Sequence, residues 1–375
     1  MNAANKSNRE GKLHGLELLR FILAFLTMAW HYYIFGPALG VVKLREVGFS
    51  AFRYLSFTVE IFFIISGFII IASAINRRPN DFVIGRVVRL APCLLVCATI
   101  TMAVGAMFGV RASFKSYLAS IFLVPLVFHT GVDWSYWSLR FEITFYFIVF
   151  ISLCLVDVER NIFKIALTII IYDVFSLFSP GFLGFDNYLS TIIQYPGEKY
   201  SPFFAVGILL YLIITQKKIN LATASTLLIA CILGTIRCYQ EANRIAQSLS
   251  WPHASLFDGC CIFLAIFGIF IYFVTIRGNP RFYSTYSRLG KTSYPLYLIH
   301  QNVGYTIFAA SEKRFAPGFD IRPIVMIAMV VLAAVIANLV EPALARQYRK
   351  WISSMMEVVR PVHPRALKSK IGDTE

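Results

Sequence analysis

Arg20 and His31 stand eleven residues apart in the first apolar stretch of the chain. Eleven residues of an α-helix return to within about 20° of the starting direction, so both side chains lie on one helix face. The rise between them is about 16 Å, roughly half the thickness of a bilayer core. Taken singly, Arg20 can reach back to the membrane surface and His31 can bond a neighbouring helix. Together they predict a polar track into the bilayer, with His31 as a general base or a nucleophile.

Arg86 and Arg89 are three residues apart, which places them on one face of a helix. Both lie past the start of an apolar stretch, whereas Arg77 and Arg78 lie just before it. A positive-inside topology signal explains Arg77 and Arg78 well, and it explains the later pair less well. Because guanidinium groups match phosphate oxygens in geometry and charge, the pair predicts a site for a phosphate-bearing ligand.

Two carboxylates, Glu60 and Glu142, also fall within apolar stretches, where an ionisable residue is costly and needs a reason. Arg140 is two residues from Glu142, so their side chains point to different helix faces and each needs its own partner. A buried carboxylate can orient a histidine, and the structural alternative is an ion pair between helices. We expect Glu142 or Glu60 to orient His31.

Ser66 and Gly67 form a small pair in an apolar stretch, which lets a ligand or a second helix backbone approach closely. Taken alone, helix packing is the more frequent reason for such a pair. His300 lies about 12 Å into a later apolar stretch, so a second histidine is expected at the depth of His31 in a supporting role. The seven cysteines show no metal-ligand spacing, and no metal site is expected.

The elements that carry these residues are apolar and long. The chain is 58% hydrophobic and 15% charged with a mean hydropathy of +0.67, whereas soluble domains are about 45–50% apolar and about 25% charged. This composition predicts an all-α integral membrane protein, a polytopic bundle of about ten transmembrane helices. The predicted spans are 16–35, 52–75, 83–108, 136–156, 163–178, 201–215, 221–238, 255–276, 293–310 and 323–345.

The formal net charge is +15, and the distribution of the Lys and Arg residues along the chain predicts its orientation in the membrane. With the N-terminus placed inside, the inner loops carry about twice as many Lys and Arg residues as the outer loops, which predicts both termini in the cytoplasm. No basic stretch forms a free soluble module, so nucleic-acid binding is not expected. The predicted organisation is a cytoplasmic N-terminal tail (1–14), a ten-helix membrane domain (15–346) and a basic cytoplasmic C-terminal tail (347–375).

The motifs together resemble acyltransferase family 3, the bacterial membrane O-acyltransferases that modify surface polysaccharides and related glycans. The resemblance rests on Leu19-Arg20 followed by His31, on 62–68, on Arg86 and Arg89 with Pro92, on Trp137-Ser138-Leu139 with Glu142, and on 289–300. These stretches occur in the order of the family over residues 15–300. Ile143 stands where many members have a second acidic residue, and Arg140 where many have a small one, which leaves acceptor specificity open.

The resemblance implies a donor, acyl-CoA and usually acetyl-CoA, that binds from the cytoplasm as a co-substrate without a bound cofactor. It assigns Arg20 and His31 to catalysis, where we add Glu142, and it assigns Arg86 and Arg89 to donor binding, where we add Ser66 and Gly67. The expected acceptor is a hydroxyl of a cell-surface or exported glycan, such as exopolysaccharide, O-antigen or lipo-oligosaccharide. The expected partners are therefore acyl-CoA, a glycan or glycolipid and membrane lipids, in the bacterial inner membrane.

An alternative is a transporter or flippase of a lipid-linked glycan. Charged residues inside spans and a central cavity fit that function as well. It predicts two repeated halves with matching broken helices, and the sequence shows no such repeat. A third hypothesis is a structural membrane scaffold, but it does not explain why Arg20 and His31 lie on one helix face.

Overall fold

A computed structural model describes residues 3–43, 50–110, 112–122, 131–178, 199–276, 279–311 and 319–358. Within these ranges every regular element is helical and there is no strand, which confirms the all-α prediction. The α-helices of eight residues or more are α1 (Ala3–Trp30), α2 (Thr58–Ala74), α3 (Pro79–Met107), α4 (Phe114–Ile121), α5 (Leu139–Leu155), α6 (Val158–Phe178), α7 (Ser201–Gln216), α8 (Leu221–Ser248), α9 (Leu256–Thr275), α10 (Tyr283–Ser311), α11 (Arg322–Val335) and α12 (Glu341–Val358).

Seven helical stretches in the described part of the chain are long and apolar enough to cross a membrane. They are His14–Ala38, Phe52–Ala74, Pro79–Met107, Trp134–Leu155, Leu221–Ser248, Leu256–Thr275 and Arg322–Ile352. The remaining three predicted spans coincide with α6, with α7, which is apolar but shorter, and with α10. The architecture is thus that of an all-α membrane protein, while ten spans with both termini inside stays a prediction.

Helices α8 and α10 extend well beyond the apolar spans from which they were predicted. α8 continues to Ser248, whereas the sequence predicted an end at Cys238. α10 begins at Tyr283, several turns before the predicted start at Ser293. These boundaries were wrong because the additional turns are polar on one face, so hydropathy gives no signal for them. The added part of α8 carries charged residues that line a cavity described below.

α2 and α7 cross at a pair of glycines. A Cβ atom on Gly67 would collide with the backbone of Phe204, and one on Gly207 would collide with the backbone of Ile64. Small residues let two helices come into backbone contact, so that close van der Waals packing holds them together where lipid supplies no hydrophobic driving force. This crossing fixes the rotation of α2 and therefore the directions of its polar side chains.

α1 and α10 pack against each other and carry the two histidines. The ring of Tyr32 fills the space beside Gly304, and its hydroxyl donates to the carbonyl oxygen of His300 at 2.6 Å. At His31 the helix α1 changes to a π-helical turn, His31–Phe35. Such turns occur often at functional sites because they turn side chains away from the regular helical direction.

Candidate active site

A narrow cavity of about 70 Å³ lies among α1, α2, α3, α5 and α10. Three guanidinium groups line it, from Arg20 on α1 and from Arg86 and Arg89 on α3. The carboxylate of Glu142 on α5 lines it as well. We call this space the arginine cavity. With Ser66 on α2, it brings together five of the residues that the sequence singled out on four separate helices.

Ion pairs do not neutralise the positive charge of the arginine cavity. Among the described residues, no carboxylate lies within ion-pair distance of Arg20, Arg86 or Arg89. Glu142 instead accepts a hydrogen bond from the hydroxyl of Tyr146. Three arginines and one carboxylate thus line the cavity, while Glu17 and Glu341 act on Arg20 and Arg89 from outside its lining. The net positive charge of the lining favours an anionic ligand.

Arg86 keeps hydrogen-bonding capacity for a ligand. One terminal nitrogen, Nη2, lies 3.3 Å from Ser73 Oγ, and its Nε is buried without a hydrogen-bond partner in the described structure. The guanidinium carbon lies 5.4 Å from the ring centroid of Phe82 and 5.5 Å from that of Tyr146. Ring faces hold the cation without using its N–H groups, so these remain available to oxygens of a phosphate.

Ser66 and Gly67 occupy different environments. Ser66 lines the arginine cavity. Gly67 faces α7, at the helix crossing with Gly207, and so provides helix packing rather than a cavity wall. The two explanations weighed for this pair from the sequence therefore apply to one residue each.

A larger cavity of about 420 Å³ lies further along α1 and nearer the start of α2. His31 and Glu60 line it, and its walls are rich in aromatic side chains, namely Trp30, Phe35, Trp134, Trp137 and Tyr200. We call this space the histidine cavity. Aromatic rings offer flat apolar faces, and Trp and Tyr add a polar group at one edge.

The turn Trp134–Ser138, which carries two of the aromatic walls, is held by Asp133. One carboxylate oxygen, Oδ1, accepts hydrogen bonds from Ser135 N at 2.8 Å and Ser135 Oγ at 2.7 Å. The other accepts from the backbone N of Asn302 on α10 at 3.0 Å. Burial raises the pKa of Asp133 to about 6, and these hydrogen bonds act in the opposite direction. The turn is thereby tied to the helix that carries His300.

Most charges of the histidine cavity are paired. Lys199 Nζ lies 3.0 Å from Glu241 Oε2, and Arg244 Nε donates to the same oxygen at 2.8 Å. By contrast, Glu60 Oε2 and Gln301 Oε1 are buried without a partner in the described part of the molecule. A buried acceptor that lacks a donor costs free energy. Both atoms therefore suit a ligand that donates hydrogen bonds.

His31 is held from one side of its ring. Its Nδ1 lies 2.8 Å from the carbonyl oxygen of Thr27 and 3.1 Å from His300 Nε2. Within the described residues, neither Glu60 nor Glu142 makes a hydrogen bond to this ring. The orienting groups of His31 are thus a backbone carbonyl and a second histidine, and its Nε2 is the ring nitrogen left for a ligand.

The arginine cavity and the histidine cavity share two lining residues, Val59 and Tyr297. The hydroxyl of Tyr297 lies 2.8 Å from Ser138 Oγ, and its ring packs edge-on against Phe62 with centroids 6.0 Å apart. The side chains of Val59 and Tyr297 therefore form the partition between the two cavities. A ligand that passes this partition from the arginine cavity enters the cavity that His31 lines.

The predicted site residues thus fall into three places. The arginine cavity holds Arg20, Ser66, Arg86, Arg89 and Glu142, the histidine cavity holds His31 and Glu60, and outside both lie His300 and Gly67. Sequence reasoning missed Thr27, Val59, Lys199, Glu241, Arg244, Tyr297 and Gln301. Of these, Gln301 could have been predicted, because it directly follows His300 in the sequence. The described residues contain no group of three or more His, Cys, Asp or Glu side chains that could hold a metal.

Comparison with protein families identifies the family of the chain. A family model described as an acyltransferase domain matches residues 13–338, which is most of the chain. Searches among curated proteins and among solved structures give no match. The matched range includes every residue that lines either cavity. The chain belongs to acyltransferase family 3 and is a multi-pass membrane acyltransferase.

Proposed function

We propose that the protein transfers an acyl group, in the simplest case acetyl, from acyl-CoA to a hydroxyl of a cell-surface or exported glycan. The observation that carries the proposal is the meeting of the two cavities at Val59 and Tyr297. One cavity presents guanidinium groups that no ion pair within the described chain neutralises, and the other presents His31. A donor with phosphates and an acceptor with hydroxyls can therefore approach one point from two sides.

The donor occupies the arginine cavity, with its phosphates on Arg86 and Arg89 and assistance from Arg20. Guanidinium groups bind phosphate oxygens through paired, charge-assisted hydrogen bonds. The narrow cavity has room for part of a thin chain and none for a bulky head group. The pantetheine arm therefore runs past Ser66 toward Tyr297, while the nucleotide stays at the arginine end. This places the thioester at the partition.

Transfer then uses His31 Nε2 as a general base. This nitrogen takes the proton of the acceptor hydroxyl while the hydroxyl oxygen attacks the thioester carbonyl carbon. The C–S bond breaks, the CoA thiolate leaves, and His31 returns the proton to the sulfur. The products are an ester and free CoA. In the alternative, Nε2 attacks the thioester carbonyl carbon first, the C–S bond breaks and CoA leaves, and the acylated His31 then passes the acyl group to the hydroxyl. A burst of about one CoA per protein in the absence of glycan distinguishes that route.

The acceptor in this proposal is a sugar. The apolar C–H face of a pyranose packs on the aromatic rings of the histidine cavity, while its hydroxyls donate to Glu60 Oε2 and Gln301 Oε1. A second hydroxyl of the same sugar, or of its neighbour, faces His31. A molecule with many hydroxyls thus satisfies the buried acceptors and still presents a reactive oxygen.

The proposal includes a ten-span arrangement in the bacterial inner membrane, with a membrane domain over 15–346 and tails of 1–14 and 347–375 in the cytoplasm. In this orientation the arginine cavity faces the side on which acyl-CoA is made. The histidine cavity faces the side toward which glycans are exported. Membrane lipids surround the bundle, and no nucleic acid is involved.

Mass spectrometry of surface glycans tests the proposal. A strain that lacks the gene is compared with strains complemented by the wild-type gene and by His31→Ala. We expect the wild type alone to add the mass of an acyl group, although both proteins reach the same amount in the membrane. Purified His31→Ala still binds CoA, because His31 lines the other cavity.

Full acylation by His31→Ala would refute the role of this residue. A glycan that changes in amount at the surface without a change in mass would favour the flippase instead. Such a protein would also show no dependence on CoA.

A further inference from the structure

His300 is placed to determine which nitrogen of the His31 ring carries the hydrogen. We propose that His300 is a positioning residue that holds His31 in the tautomer whose Nε2 lone pair faces the histidine cavity. The inference rests on the proposed function, in which His31 Nε2 is the reacting nitrogen. His300 itself is fully buried and lines neither cavity, so it acts through His31 rather than on a substrate.

The tautomer of His300 follows from its own hydrogen bonds. Its Nδ1 lies 2.9 Å from the carbonyl oxygen of Tyr297 and 3.2 Å from that of Leu296. Carbonyl oxygens only accept hydrogen bonds, so the hydrogen of the His300 ring is on Nδ1. In a neutral imidazole the other nitrogen then carries a lone pair. His300 Nε2 is therefore an acceptor directed at His31.

The tautomer of His31 follows in turn. Its Nδ1 faces two acceptors, the carbonyl oxygen of Thr27 at 2.8 Å and His300 Nε2 at 3.1 Å. A hydrogen on Nδ1 satisfies both through a shared bond. The opposite tautomer would place three lone pairs together in a buried site, which is unfavourable. His31 Nε2 is left unprotonated and can accept a proton or an acyl group.

A second histidine has an advantage over a carboxylate in this place. A carboxylate would add a negative charge to a buried site before the reaction begins, and such a charge is costly to desolvate. Neutral His300 adds no charge, yet its bond to His31 strengthens when His31 becomes positive, because the bond is then charge-assisted. The hydrogen bond from Tyr32 Oη to the carbonyl oxygen of His300 keeps the backbone in position at 2.6 Å.

The matched variants His300→Gln and His300→Met separate this role from packing. Their side chains are similar in length and volume, but only Gln offers an oxygen acceptor near the place of His300 Nε2. Transfer from radiolabelled acetyl-CoA to the surface glycan fraction of the deletion strain gives kcat and the KM for acetyl-CoA. We expect His300→Met to lower kcat about 100-fold with KM changed less than about twofold. We expect the kcat of His300→Gln to be about tenfold higher than that of His300→Met, because one buried hydrogen bond is restored.

Equal kcat values for the two variants, at equal amounts in the membrane, would overturn the inference. A second measurement determines the tautomer in the unaltered protein and uses one variant, His31→Asn, only to assign the His31 signals. In ¹⁵N NMR of protein labelled on histidine, the His31 signals are those lost in His31→Asn. We expect a hydrogen on Nδ1 and none on Nε2, and the reverse would overturn the inference.

The two measurements also separate this inference from the proposed function. Full acylation by His31→Ala would refute the function, and it would leave the observed tautomer of His31 unchanged. A hydrogen on His31 Nε2 together with loss of transfer in His31→Ala would leave the function standing and remove the role of His300.

Discussion

The arginine cavity and the histidine cavity meet at one partition, yet they differ in size, charge and wall chemistry. The first has a volume of about 70 Å³ and keeps guanidinium charge that no ion pair to a described carboxylate neutralises. The second has a volume of about 420 Å³, aromatic walls and charges that largely pair with one another. A narrow charged site selects its ligand by charge, and a wide aromatic site selects by shape and hydroxyl pattern. Under the proposed function, the first cavity would therefore suit a constant donor and the second a variable acceptor.

Closing the partition should have the largest effect. Val59 lines both cavities, and Val59→Phe places a ring where the thioester has to pass. We expect acyl transfer to fall about 10³-fold or more, because the thioester no longer comes within reacting distance of His31. Transfer is measured with radiolabelled acetyl-CoA and the glycan fraction of the deletion strain.

The matched control for this change is Val59→Ile, which adds a single methylene group and should keep transfer close to wild type. Calorimetric binding of CoA should be unchanged in both variants, since neither touches the guanidinium groups. Wild-type transfer by Val59→Phe would show that the acyl group takes another path, and the two cavities would then not be parts of one site.

Removing charge from the donor side should have the next largest effect. We expect the double variant Arg86→Gln, Arg89→Gln to raise the KM for acetyl-CoA about 100-fold, because hydrogen bonds to charged groups are worth about 1.5–3 kcal/mol each. The KM for the glycan should stay the same. The matched control is Arg77→Gln, Arg78→Gln, which removes two exposed arginines just before α3. If the control raises the KM equally, the effect is one of general surface charge.

Stability and donor binding should separate the roles of Ser66 and Gly67. Gly67→Ala should destabilise the fold by about 1–3 kcal/mol, the usual cost of overpacking, since its Cβ meets the backbone of Phe204. The midpoint of thermal unfolding in detergent measures this loss. Ser66 lines the arginine cavity. Ser66→Ala should therefore leave the midpoint unchanged and raise the KM for acetyl-CoA. A lowered midpoint for both variants would mean that Ser66 also belongs to the helix crossing.

The sequence predicted the residues of this site that are costly in a membrane. Arg20, His31, Arg86, Arg89 and Glu142 stood out because an ionisable side chain in an apolar helix needs a reason. Their grouping into two cavities was not predicted, since helical spacing says which residues share a face and not which helix that face meets. For that reason the sequence left open whether Glu142 or Glu60 orients His31, whereas Glu142 lines the arginine cavity and Glu60 lines the histidine cavity.

The residues that escaped prediction act through atoms or neighbours that no pattern marks. Thr27 holds His31 with its backbone carbonyl, which every residue possesses. Tyr297 is one of 19 tyrosines, and its role depends on the contacts of α10 with α2 and with the turn Trp134–Ser138. Glu241 and Arg244 lie in the polar turns of α8, which hydropathy assigned to a loop. Each of these residues reaches the site through the packing of one helix against another, which the sequence pattern does not show.

The smallest expected effect tests the acceptor side. Glu60→Gln keeps the size of the side chain but replaces one carboxylate oxygen by an amide that donates. Because Glu60 Oε2 is a buried acceptor without a partner in the described structure, a sugar hydroxyl that donates to it loses part of that bond. We expect the KM for the glycan fraction to rise about tenfold, equivalent to about 1.4 kcal/mol.

The KM for acetyl-CoA should remain that of the wild type in Glu60→Gln. This result would mirror the double arginine variant, which should change the donor KM and leave the glycan KM alone. Two variants that each affect one substrate would separate the cavities by function as the structure separates them in space. If Glu60→Gln changes both KM values by the same factor, Glu60 acts on the shared partition, and donor and acceptor do not have separate cavities.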